Sequence, residues 1–157
     1  MTQDQIKDFT LRISQANTTD LVVVIYDITL CYLDEAKLAL DNKDNRALTT
    51  AIVNVRKCIN ELIGSLHYDY SPAGELLDIY VFCSRRLSIV NSDKDYKELE
   101  EIHSIILRLR DAYSQISSTN KSGPIMQNSE SVYAGLTYGK GMLNENVIGV
   151  GNRGFLA

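Results

Sequence analysis

Glu100 and His103 come nearest to chemistry in this chain: three apart on a stretch of helical periodicity, they form an ExxH pair. A di-iron site in a helical bundle takes such a pair from each of two helices and one further Glu from each of two more. The other histidine, His67, has Gly64 three residues before it, so the second copy is missing and no metal site is expected. Ser84, Asp27 and a histidine can be assembled on paper into a triad, but nothing in the sequence positions them. A serine nucleophile would also want an oxyanion hole, and amides already bonded within a helix are poor donors for one. Asp27 and Asp34, seven apart, can share a helix face, which a polar strip explains without chemistry. GLTYGKG, residues 135–141, resembles a phosphate loop only loosely. Its first two glycines enclose three residues where four are wanted, Gly141 replaces the hydroxyl residue, and no strand precedes it. No catalytic residue, cofactor or metal is assigned, and a protein that is not an enzyme is expected.

The elements around these residues are those of one domain, because 157 residues suffice for a single well-formed core. Asp+Glu 20 against Lys+Arg 16 leaves a mild negative charge without a basic block, which makes nucleic acid a poor partner. The longest apolar run, Leu21 to Tyr26, falls far short of the roughly 20 residues that span a bilayer, so no membrane insertion is expected. MTQDQIKDF lacks the basic start and apolar segment of a secretory signal. Cys31, Cys58 and Cys83 sit singly in helical patterns, as buried thiols of a reducing cytoplasm do.

Four helical stretches follow from the spacing of apolar residues. The first runs from about Thr18 to Leu40, with Asn17 as cap and Asp20 meeting the free amides of the first turn. The second carries Leu48, Ile52, Val55, Ile59, Leu62 and Leu66 on one face and fades at HYDYSPAG. Pro72 opens the third, which presents Leu76, Tyr80, Cys83, Leu87 and Val90 before NSDKD, where Asp93 or Asp95 caps the next. The fourth alternates steps of three and four through Leu99, Ile102, Ile106, Leu109, Tyr113 and Ile116. Short links force neighbours to run antiparallel. The expected fold is all-α: an antiparallel up-and-down four-helix bundle over residues 17–116, after a short N-terminal segment, 1–16. Residues 117–157 hold seven of the nine glycines and are expected to be a partly disordered tail. That tail nevertheless keeps an apolar load, including Val132, Tyr133, Leu136, Met142 and Phe155.

The first and third stretches are more apolar than a bundle stripe requires. Val22, Val24, Leu30, Leu33 and Leu40 fall partly outside the stripe of the first, and Ile79, Val81, Phe82 and Ile89 flank that of the third. Two explanations compete: a broad core in which these helices lie centrally, or a self-associating seam that makes a homodimer, on one side, and a groove for a partner peptide in the helix-in-groove mode on the other. Ile6, Phe9 and Ile13, spaced by three and four, suit a segment that lies over such a groove while it is empty.

From about Ile13 to Ile116 the chain resembles the flagellar secretion chaperone family FliS. Ala16, Leu21, Tyr26 and Asp27 agree with the family's opening segments, although its proline and glycine there are absent. Glu61, Leu62 and Leu66 match its Glu-Leu-x-x-x-Leu, and Ala73-Gly74-Glu75-Leu76 its start to the third helix. Ile79, Tyr80, Phe82, Arg85, Arg86 and Leu87 follow its Leu-Tyr-x-Tyr-x-x-Arg-Arg-Leu run. Asn91 and Asp95, then Leu107, Leu109, Arg110 and Ala112, complete the order, with Tyr113 at the family's usual tryptophan. The resemblance implies a cytoplasmic chaperone that holds the disordered C-terminal region of flagellin, prevents its polymerisation and passes it to the flagellar type III export gate. The residues assigned to the partner groove are Ile25, Tyr26, Leu30, Leu62, Leu66, Leu76, Tyr80 and Phe82. Asp27 with Arg85 and Arg86 would orient the partner or pair with one another.

Overall fold

The computed structural model describes residues 1–119 and Gly123. Five helices and no strand occur among the described residues: α1 Gln3–Gln15, α2 Thr18–Asp41, α3 Asn45–Gly64, α4 Ala73–Asp93 and α5 Tyr96–Thr119. The expected tail lies outside the described residues from residue 120 on, Gly123 apart, and α5 runs three residues past the expected boundary, to Thr119.

Four of the five helix starts are written in short polar side chains, while α4 follows Pro72 without a side-chain cap. Asn17 accepts the Asp20 amide at 2.9 Å while the Asp20 carboxylate accepts the Asn17 amide, a capping box that satisfies two donors the first turn leaves unpaired. Thr2 and Gln5 do the same for α1. Asp44 accepts the amides of Arg46 and Ala47 ahead of α3. Asp95, not Asp93, accepts those of Lys97 and Glu98 at the start of α5. Lys43 and Lys94 take positive φ at the turns that follow α2 and α4.

Side-chain pairs give the direction of each neighbour. Along the α2–α5 seam Asp20 meets Ser117, Asp27 meets Arg110, Asp34 meets His103 and Lys37 meets Glu100, so the start of one helix lies by the end of the other. Thr49 with Asn91 and Arg56 with Ser88 set α3 antiparallel to α4. Arg86 with Glu98 and Glu101 places the second half of α4 beside the first half of α5. α2 also packs on α3. The core between these helices holds Tyr26, Leu33, Leu48, Ile59, Leu62, Tyr80, Leu87 and Ile102, all essentially excluded from solvent. Cys58 and Cys83 are buried free thiols, whereas Cys31 is only half-buried.

The N-terminal segment is a full helix. α1 lies antiparallel along the line Val24, Asp27, Cys31 and Glu35 of α2. Its Phe9 and Ile13 are buried in the core cluster, Arg12 pairs with Asp27, and the terminal ammonium pairs with Glu35. α2 therefore has three helical neighbours, α1, α3 and α5. That accounts for its wide apolar surface: Val24, Ile28, Tyr32, Leu33, Ala36 and Ala39 point in several directions and all are buried.

Candidate docking surface

The surplus on α4 is not covered in the same way. Leu76, Tyr80, Cys83, Leu87 and Val90, in alternating steps of four and three, form its buried stripe. The next stripe round, Ile79, Phe82 and Ile89, stays partly open, with Phe82 38% exposed. On α5 the seam is closed at Leu99, Ile102 and Ile106, loosens at Leu109 and Tyr113, and is lost at Ile116, which is 55% exposed. Ile79 and Phe82 of α4 face Ile105 and Leu109 of α5 across a furrow of about 460 Å³, with Asp78 and Arg108 completing its lining. Its walls are apolar and its rim carries one acid and one base. At one end the Arg86 guanidinium lies over the Phe82 ring, 4.8 Å from its centre, held there by Glu98 and Glu101.

A second, smaller opening of about 210 Å³ lies between the start of α2, the α3–α4 connection and the end of α5. Val22, Leu66, Leu76, Tyr80 and Tyr113 supply its apolar lining.

The eight residues assigned to a groove from the sequence separate in the structure. Phe82 lines the furrow, while Leu66, Leu76 and Tyr80 meet in the smaller opening. Leu30 is half-buried against the core from α2. Ile25, Tyr26 and Leu62 are corrected to core residues, since the chain's own helices cover them almost completely. Tyr26 is internal because its polar end is answered internally: its hydroxyl and that of Tyr80 hydrogen-bond to each other, and its ring lies 5.6 Å from that of Tyr113. Burial pushes the Tyr80 hydroxyl up to about 12 and the Tyr26 hydroxyl further, so both stay protonated. Ile105 and Leu109 are furrow residues that the sequence reading did not assign. For Leu109 the signal was the α5 seam, which continues in step after its neighbours cease to cover it; Ile105 lies beside that seam, as an apolar residue adjacent to Ile106.

The residues first considered for chemistry are engaged in packing. Glu100 faces Lys37 at 3.5 Å and His103 faces Asp34 at 3.4 Å, both across the α2–α5 seam. Asp27 accepts from Arg12 and Arg110 and so ties α1 and α5 to α2; it does not pair with Arg85 or Arg86. Among the described residues no group of three or more His, Cys, Asp or Glu is placed to hold a metal ion, and no helix is long and apolar enough to cross a membrane.

Fold and surface together define an all-helical protein with an apolar furrow between two of its helices. The model of the family "Flagellar protein FliS" matches residues 1–120, and the chain belongs to that family, whose role is that of a flagellar chaperone. A search of curated proteins found no match.

Proposed function

We propose that this chain holds the disordered C-terminal region of flagellin in the cytoplasm, prevents its premature polymerisation and assists its delivery to the flagellar type III export apparatus. The observation that carries the reading is the α4–α5 furrow, whose apolar walls remain open in a chain that covers most of the apolar surface of α2, Leu38 apart. Membership of the family, with its flagellar chaperone role, supports flagellin as the class of cargo. We read α2 to α5 as an antiparallel up-and-down four-helix bundle, a rigid body on which an unfolded segment folds as it binds. An amphipathic segment lays its apolar face on Ile79, Phe82, Ile105 and Leu109, and the rim charges of Asp78 and Arg108 set its direction. Each side chain contributes the share of about 1.5–3 kcal/mol that its remaining exposure leaves to be buried, so affinity rests on the whole length of segment covered and not on these four side chains alone. The ordering cost of the cargo keeps release within reach of the export gate.

Light scattering on a mixture with the flagellin C-terminal segment tests this. A one-to-one complex is expected, and no complex at tens of micromolar overturns it. A mass that rises with protein concentration and ignores the segment would instead favour the homodimer.

A further inference from the structure

We propose that the chain's own C-terminal segment, residues 120–157, docks on the α4–α5 furrow. The furrow belongs to the helix from which this segment departs: Leu109 stands ten residues before Thr119. Ten helical residues rise about 15 Å, a span that about five extended residues cover. Ile125 and Met126, the first apolar pair of the segment, are therefore within reach of the furrow wall, and Val132, Tyr133 and Leu136 follow. These are side chains that a merely solvated tail has no use for, and the furrow offers them a surface that no other described element covers. Charge does not oppose the contact at the furrow, where Asp78 and Arg108 balance, and the net charges of the two parts are of opposite sign. Lys121, Lys140 and Arg153 against Glu130 and Glu145 give the segment one positive charge; the whole chain carries −4, so residues 1–119 carry −5. A covalently attached segment also acts at an effective concentration of order millimolar, which outcompetes a second copy at micromolar concentration.

For cargo the consequence is competition: flagellin must displace the segment from the furrow. That consequence rests on the function proposed above; the docking itself does not. The test uses the full chain alone, at low micromolar concentration, with photoreactive p-benzoyl-phenylalanine in place of Phe82 and, separately, of the exposed rim residue Arg108. Far-UV circular dichroism and melting confirm that each variant folds, and Arg108 carries the test if the Phe82 variant does not. Irradiation is expected to link both positions to peptides within 120–157 in the monomer band. Links confined to neighbouring helix residues, or found at dimer mass, would overturn the proposal. Because no flagellin is present, such a failure leaves the cargo reading standing, just as failed flagellin binding would not touch the docking result. Excess flagellin segment is then expected to lower the cross-link yield several-fold. Unchanged yield in a mixture that demonstrably forms the complex would overturn the competition.

Discussion

α2 and α4 both carry more apolar residues than one inward stripe uses, yet α2 buries most of its surplus, Leu38 apart, while α4 leaves a connected part of its own partly open. The difference is the number of neighbours. α2 is packed by α1, α3 and α5, so residues on several of its sides are core; α4 is flanked by α3 and α5 and reaches α2 through the Tyr26–Tyr80 pair across the core, and Phe82 and Ile89 remain exposed. A surplus of apolar residues thus has two meanings that composition does not separate: a helix at the centre, or a helix with a face kept for something else. Here both occur in one small domain.

The contrast is broken first by truncation. Ile28→Ala on α2 removes a fully buried side chain and is expected to cost about 3–5 kcal/mol in urea unfolding, whereas Phe82→Ala on α4 costs about 1 kcal/mol or less. Equal losses would mean that the two helices are equally enclosed. Ile13→Ala, on the helix that covers α2, comes next at about 2–4 kcal/mol, with a rise in hydrophobic-dye binding as the α1 face of α2 opens. No rise in dye binding would show that α1 is not what seals that face.

Alkaline pH sharpens the comparison, because the bond between Tyr26 and Tyr80 joins the two helices. The unfolded chain loses the Tyr80 proton near the ordinary value of 10, and the folded chain holds it to about 12. Over that interval the folded state binds more protons, so stability is full below pH 10 and falls as pH rises toward 12. Tyr80→Phe should flatten this fall in melts taken from pH 9 to 12. An unaltered slope would place the titration elsewhere. The smallest effect belongs to the exposed end of the α2–α5 seam: Glu100→Gln, which weakens the pairing with the exposed Lys37, should leave the melting temperature indistinguishable from that of the unaltered chain.

Much of this fold is legible in the sequence. Asn17 with Asp20 marks a helix start because only short polar side chains answer free amides there, and the steps of three and four through Leu48–Leu62 and Leu99–Ile106 give the buried faces directly. The pattern Ile6, Phe9, Ile13 was equally readable, but periodicity does not say whether a helix covers a surface or completes a core. The site was less legible for the same reason. Tyr26 and Leu62 repeat at the spacing of a groove wall and of a core alike, and what decides is whether another helix of the chain lies over them. Periodicity likewise does not tell where along a seam the covering helix stops, as it does for Leu109, nor whether an apolar residue beside the seam, such as Ile105, is covered.

The most direct measurement is a calorimetric titration of the flagellin C-terminal segment into the unaltered chain and into Phe82→Ser, with urea unfolding of both alongside. If the furrow holds the cargo, affinity falls tenfold or more while the stability of the two proteins differs by about 1 kcal/mol or less. Equal affinities in two equally folded proteins would contradict the assignment of the α4–α5 furrow as the place where the partner chain is held.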